Sequence, residues 1–85
     1  MKDWKKRLEQ LQPETMKTLA ELYGPDRLLV ERHRGILSYS TECIRIGSSW
    51  GTLVVEGEGL SLCCMSRSQL VIRGSLRSLH LEGGT

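Results

Sequence analysis

From Leu28 to the C-terminus, short apolar runs alternate with glycine or small polar residues. In 36–40 (ILSYS) and 43–46 (CIRI), apolar and polar positions roughly alternate, which places one side of each run on a core and the other side in water. A helix would need an apolar period of about 3.6 residues, and these runs lack it. The stretch 30–56 therefore predicts the start of a small all-β module.

The turn residues leave segments of strand length between them. The predicted strands are 28–33, 36–40, 42–46, 52–56, 60–65, 69–73 and 76–82. Short connections favour antiparallel neighbours, because parallel pairing needs crossovers of about a dozen residues or more. The glycine-bearing segments 57–59 and 83–84 are interpreted as hairpin turns. The predicted fold class is mainly β: a small antiparallel meander, a sandwich or a short solenoid of about seven strands.

A weak internal repeat supports this fold class. Residues 35–46 and 51–62, sixteen positions apart, match glycine with glycine and leucine or isoleucine with leucine. A third copy is suggested at 70–74, which echoes 53–57. Such units cannot bury an apolar face singly, so they stack or fold back on each other.

The first 26 residues are predicted to form an N-terminal helical segment before a β domain at 27–85. Within 2–12, Trp4, Leu8 and Leu11 lie at i, i+4 and i+7, with basic residues around them. Such a helix either covers an open face of the β module or contacts a membrane surface or a partner. The spacing of apolar residues predicts a second short helix at 14–23, stopped by Gly24-Pro25.

Length and charge limit the functions available to the chain. A single domain of 85 residues is marginally stable alone, so self-association through sheet edges is expected. The net charge of +2 does not suggest the concentrated basic face of a nucleic-acid binder. The sequence contains neither an apolar run long enough for a membrane span nor an apolar signal-peptide core, which predicts a cytoplasmic location.

The cysteine and histidine pattern predicts no cofactor and no metal. Cys43, Cys63 and Cys64 form no C-x-x-C motif, and the other soft ligands are His33 and His80. Neighbouring cysteines bridge poorly, so all three are expected to be reduced thiols. We interpret them as small buried apolar residues on strands.

Two short segments are candidate sites. His33-Arg34-Gly35 could hold a phosphate, but the sequence around it supplies no nucleophile or orienting carboxylate, so a strand-end turn or partner contact is favoured. Trp50 lies in a flexible tip and either anchors an interface or folds back onto the core. The alternative function is binding of a small polyanion or phosphate ligand by Arg27, Arg32, His33 and Arg34.

The β part of the chain resembles the YabP/YqfC family of sporulation proteins, and more closely its YqfC branch. The residues that carry the resemblance are 30–37 (VERHRGIL), Ser40, Glu42, 44–46 (IRI), Gly51, Leu53, Val55, 57–58 (GE), Leu60, Leu70, Ile72 and Gly74. They span about residues 28 to 82. Family members often have Glu-Asn before the His-Arg-Gly step, where this chain has Glu31-Arg32.

The resemblance implies a non-enzymatic protein made in endospore-forming Firmicutes during sporulation, in the cytoplasm of the mother cell and peripheral to the membrane. Similar proteins are encoded beside a larger membrane-associated sporulation protein, which makes a helper or scaffold for that partner the leading hypothesis. The candidate partner contacts are Arg32, His33, Arg34, Trp50, Trp4, Leu8 and Leu11. Membrane-surface contact through 2–12 is compatible with this hypothesis, and no nucleic-acid partner is expected.

Overall fold

The computed structural model describes residues 17–83, which form one antiparallel sheet of six strands. The elements are β1 (Leu19–Leu22), a 3-10 turn (Gly24–Asp26), β2 (Arg27–Glu31), β3 (Ile36–Tyr39), β4 (Cys43–Ser48), β5 (Gly51–Met65) and β6 (Gln69–Glu82). The strand order across the sheet is β1-β2-β6-β5-β4-β3. A mainly β, antiparallel fold is therefore confirmed.

The long hairpin of β5 and β6 runs through the centre of the sheet. The first half of β5 pairs with β4 on one side and with the second half of β6 on the other. The second half of β5 pairs with the first half of β6, which also pairs with β2. The hairpin thus joins two halves of the sheet, one carrying β3 and β4 and the other carrying β1 and β2.

A bend crosses the middle of the hairpin, where the pairing register shifts between residues 56 and 61 of β5. Gly74 has φ +137° and Gly59 has φ +61°, values that favour glycine. A Cβ on Gly57 would lie 2.0 Å from the carbonyl oxygen of Ser75. Glycines here allow the two paired backbones to approach each other closely at the bend, where the sheet folds over itself.

The core lies between the two halves of the sheet and is aliphatic. One half contributes residues of β2 and β6, and the other contributes residues of β4 and β5. The buried cluster is Leu28, Val30, Leu70 and Ile72 from the first half, with Ile44, Ile46, Leu53, Val55 and Leu60 from the second. β2, β4 and the start of β6 bury alternate residues, so the alternation predicted at 43–46 is confirmed as a core pattern. The strand at 36–40 has no buried residue, and β5 buries 53–55 in succession, so alternation does not describe these two strands.

The structure corrects three expectations. The helix predicted at 14–23 is wrong for its described part, because Leu19–Leu22 form β1, paired with β2. The segments 52–56 and 60–65 are one strand, as are 69–73 and 76–82. Gly57-Glu58-Gly59 is a bend inside β5 rather than a hairpin turn, since both flanking segments stay paired with β6.

The predicted helix at 2–12, with Trp4, Leu8 and Leu11, lies outside the described residues, as does Gly84 of the predicted 83–84 turn. All three cysteines are free, but Cys63 and Cys64 are exposed on β5, so the buried interpretation is wrong for this pair. They lie in the second half of β5, beyond its pairing with β4. Within residues 17–83, no helix has the length and apolar character to cross a membrane.

A candidate partner-binding site at one end of the sheet

Four connections meet at one end of the sheet, and we call this region the loop end. It comprises residues 17–18 before β1, the β2–β3 connection 32–35, the β4–β5 turn 49–50 and the β5–β6 turn 66–68. The strand register brings them together, because Leu19 and Gln69 both lie opposite Glu31. The loop end is thus fixed by the ends of all six strands.

Thr18 ties the start of β1 to two of the other connections. Its Oγ1 donates a hydrogen bond to the carbonyl oxygen of Arg32 at 2.8 Å and accepts one from the amide of Ser49 at 2.9 Å. The Thr18 amide in turn donates to Ser49 Oγ at 3.0 Å. Thr18 is also the one buried polar residue of 17–83. A buried hydroxyl that satisfies both neighbours holds the loop end rigid.

Arg32 serves the backbone rather than an open site. Its φ of +57° is the only positive value among non-glycine residues of the described chain. Its Nε donates to the carbonyl oxygen of Lys17 at 2.7 Å, and its amide donates to the carbonyl oxygen of Ser68. Arg32 therefore links the β2–β3 connection to both the N-terminal entry and the β5–β6 turn.

His33 makes two local hydrogen bonds at the loop end. Its Nδ1 accepts from the amide of Gly35 at 3.0 Å, and its Nε2 lies 3.2 Å from the carbonyl oxygen of Ser66. An acceptor at Nδ1 and a donor at Nε2 fit the neutral imidazole with the proton on Nε2. This arrangement is that of a turn residue bridging two connections.

Arg34 and Trp50, two of the residues singled out in the sequence, lie close to each other at the loop end. The Arg34 amide donates to the carbonyl oxygen of Gly47 at 2.8 Å, three residues before Trp50. Trp50 occupies the tight β4–β5 turn, which Ser48 supports through bonds to the Trp50 amide and the Gly51 carbonyl. Arg34 is exposed, and Trp50 is 37% exposed. The bond from Arg34 to Gly47 places an exposed arginine and a partly exposed tryptophan at the same end of the sheet.

The loop end is basic. Lys17, Arg32, Arg34 and Arg67 lie within it, and its residues include no aspartate or glutamate. The ion pairs formed among residues 17–83 are elsewhere, at Arg45 with Glu82 and at Arg77 with Glu58. Like charges so close to one another favour an acidic partner surface.

Arg27 does not join this group. It begins β2 at the strand end opposite the loop end, with its guanidinium 5.4 Å from the centre of the Tyr23 ring. The patch suggested by the sequence is therefore divided, and Lys17 and Arg67 take the place of Arg27 near Arg34. Sequence reasoning missed both cations, together with Thr18 and Ser49, because only the strand register brings their segments together.

Among the described residues, the buried polar side chains are paired and no metal-ligand cluster forms. Within 17–83, no group of three or more His, Cys, Asp or Glu side chains is placed to hold a metal ion. Every buried side-chain nitrogen or oxygen of that part of the chain has a hydrogen-bond partner. What the loop end offers is a rigid surface with an aromatic group and several cations.

These features define a small antiparallel sheet protein with open strand edges and a basic end that carries an exposed arginine and a partly exposed tryptophan. The sequence pattern of the YabP family matches residues 14–85, and the chain belongs to that family. The YabP family is a non-catalytic sporulation family, so membership fits a sporulation-related protein. No curated protein and no solved structure matches the chain.

Proposed function

We propose that this chain is an interaction module of the sporulation machinery that binds a membrane-associated sporulation protein through its loop end. The observation that carries the proposal is the presence of Arg34 and Trp50 at that end of the sheet, where hydrogen bonds join the four connections. Trp and Arg are the residue types most enriched at energetic hot spots of interfaces. A rigid platform loses little entropy when it binds.

The partner and the compartment follow from the family resemblance. Relatives in the YqfC branch, to which we assign this chain, are encoded beside a larger membrane-associated sporulation protein. We propose that protein as the partner, and the mother-cell cytoplasm, at the membrane surface, as the location. The basic loop end suits both an acidic face of the partner and the anionic cytoplasmic leaflet near it. Exposed strand edges leave self-association as an additional mode of assembly.

Capture of the membrane-associated partner by the full-length chain tests the proposal. The double variant Trp50→Ala, Arg34→Glu should bind with a Kd about tenfold higher or more, because loss of a hot spot costs at least ~1.4 kcal/mol. The matched control is Tyr39→Ala, Arg73→Glu, which changes an exposed aromatic and an exposed arginine outside the loop end. The control should bind as the parent does.

Two results would contradict the proposed interface. Equal capture by the parent and the loop-end variant would remove these residues from the contact. Equal loss in the loop-end variant and the control would mean that the interface is not at the loop end. Circular dichroism of each variant shows whether the sheet is intact before binding is compared.

A second candidate function is binding of a small polyanion or phosphate ligand, and the four cations of the loop end favour it. A ligand held by several charge contacts should lose affinity steeply between low and physiological salt. Inorganic polyphosphate, titrated at two salt concentrations into the parent and into Arg34→Glu, is the probe. A response that is flat with salt, or equal in the two proteins, would exclude this function.

A further inference from the structure

The core is left open along one side of the sheet. In one cross-strand row, Ile44, Val55 and Leu79 are neighbours on the same face, and their exposures are 0%, 1% and 36%. In the next row, Ile46 and Leu53 are buried while Leu81 is 52% exposed. Both rows become exposed at β6, so apolar side chains on the core-facing side of β6 are not covered by the opposite half.

The other wall of this opening is β1. Leu22 pairs with Leu28 and shares its core-facing side, yet Leu22 is 56% exposed and Leu28 is fully buried. Between the two walls lies a groove of about 150 Å³. Its lining is Leu22, Pro25, Leu28, Val55, Leu76 and Leu79 among others. We call the opening between β1 and Ser75–Glu82 the seam.

Both strands that border the seam have an unpaired edge. Within residues 17–83, β1 pairs only with β2, and β6 from Ser75 onward pairs only with β5. The seam is bounded at one end by the bonds between Thr18 and Ser49 and at the other by the 3-10 turn packed against β6. An apolar opening with fixed ends and two free edges has the form of a binding cleft.

We infer that the chain's own segment 2–12 covers the seam, with the stripe of Trp4, Leu8 and Leu11 against it. The described chain begins at Lys17, beside one end of the seam, so the segment is tethered there at high effective concentration. A helix over 2–12 would be about 16 Å long, and β1 spans about 13 Å. The intervening residues 13–16 reach about 13 Å when extended, enough to turn the segment back along β1.

Size and charge both favour this occupant. A dry apolar cavity of about 150 Å³ holds a benzene-sized group, which matches one ring or leucine of the stripe rather than the whole helix. Glu21 and Asp26 border the seam and form no ion pair within residues 17–83. Of the other charged residues along it, Glu82 pairs with Arg45 and Arg77 pairs with Glu58. The polar side of 2–12 is basic: Lys2, Lys5, Lys6 and Arg7. Opposite charges across the rim would orient the segment.

This inference goes beyond the proposed function. The apolar stripe of 2–12 would lie inside the protein and would not be free to enter a membrane surface. The loop end would remain exposed, so failure of either idea leaves the other standing.

Nuclear Overhauser contacts in the unaltered full-length protein test the inference without any substitution. The Trp4 indole should show contacts to methyl groups of Leu22 or Leu79. A sample mixed from labelled and unlabelled chains should assign those contacts to one molecule. Contacts confined to residues 1–16 would overturn the inference, and so would contacts that arise only between chains, because a second copy would then be the occupant.

Tryptophan fluorescence gives an independent measurement, made in Trp50→Phe so that Trp4 is the only emitter. We expect blue-shifted emission and protection from acrylamide, and the addition of Leu79→Asp should abolish both. The matched control is Leu37→Asp on β3, which is 59% exposed and far from the seam in strand order, and it should change neither signal. Emission typical of an indole in water before any seam substitution would overturn the inference. A blue shift that appears only with anionic vesicles would overturn it in favour of membrane contact.

Discussion

Replacing Gly57 with alanine places a methyl carbon 2.0 Å from the carbonyl oxygen of Ser75 and 3.1 Å from a methyl of Leu60. The obstructing oxygen belongs to the backbone of β6, so rotation of a side chain cannot relieve the overlap. The two strands must separate at the bend. Because the bend brings the two halves of the sheet together, their separation would disturb the shared core.

The size of the effect follows from two opposing contributions. Overpacking of this kind costs about 3 kcal/mol, the upper end of the usual range, because only backbone movement relieves it. Alanine also restricts the unfolded chain more than glycine does, which stabilises the folded variant by about 0.4–1 kcal/mol. We expect a net loss of about 2 kcal/mol or more in the free energy of unfolding. For 85 residues the total is roughly 4–13 kcal/mol, so the loss is a large fraction.

Gly59→Ala is the matched control, two residues away on the same strand. A Cβ there meets nothing within 4 Å, and the only penalty comes from φ +61°. That backbone conformation costs an alanine about 1–2 kcal/mol, and the same stabilisation through the unfolded chain offsets part of this cost. Urea unfolding of both variants should place Gly57→Ala below Gly59→Ala, with the parent highest. At a slope of about 1–2 kcal/mol per M, the Gly57→Ala midpoint should fall by about 1 M or more.

The order of the two midpoints decides the question. If Gly57→Ala unfolds at the same urea concentration as Gly59→Ala, or a higher one, the close approach of β5 and β6 at Gly57 is refuted. The bend in the hairpin would then need another explanation than glycine-dependent backbone contact.

Three further predictions concern the ends of β1. Thr18→Val should lower the free energy of unfolding by about 1–3 kcal/mol, because two backbone groups lose a buried hydrogen-bond partner. Thr18→Ser keeps a hydroxyl and should lower it less. Chemical denaturation measures both variants, and equal losses would contradict a role for the hydroxyl. The Arg32→Val variant should be less stable than the Arg32→Asn variant by about 1 kcal/mol or more, because a φ of +57° suits asparagine better than a β-branched residue. Equal unfolding midpoints of the two variants would count against that backbone conformation. The hydrogen bond from Tyr23 to Glu21, together with the negative charge of that carboxylate, raises the pKa of Tyr23 above its usual value. In a Tyr39→Phe background, the absorbance of the Tyr23 phenol should therefore titrate at lower pH after Glu21→Gln. Because the folded pKa is the higher one, this contribution to stability is complete below the unfolded pKa and is lost as the pH rises through the folded value.

Much of the β structure could be predicted from the sequence, because alternation reports which side of a strand is buried. What alternation cannot show is whether a glycine ends a strand or bends it. Gly57 and Gly74 resemble turn residues in sequence, but the structure uses them for close approach of two backbones within one hairpin. Two predicted pairs of strands are therefore single long strands.

The helix predicted at 14–23 is wrong in its described part because local spacing competed with tertiary pairing. Leu19, Ala20 and Tyr23 have helical spacing, yet β1 gains a full ladder with β2 and packs Ala20 against the core. Pairing and burial outweigh weak propensity.

The candidate site could be predicted only in pieces. Arg34 and Trp50 stood out in the sequence for their chemistry, but their proximity depends on the pairing of Gly35 with Gly47. Arg32 stood out as a charge, whereas the structure shows a backbone role that its positive φ explains. Asparagine, which family members often have at this step, adopts that conformation more readily.

The footprint of the membrane-associated partner on the isotopically labelled full-length chain tests the central claim most directly. Backbone amide signals of 32–35 and 49–50 and the indole signal of Trp50 should shift or broaden on addition of the partner. Signals of the β3–β4 turn, 40–42, at the opposite end of β3, should stay unchanged. A footprint confined to 40–42, or the absence of any change at saturating partner, would contradict binding through the loop end.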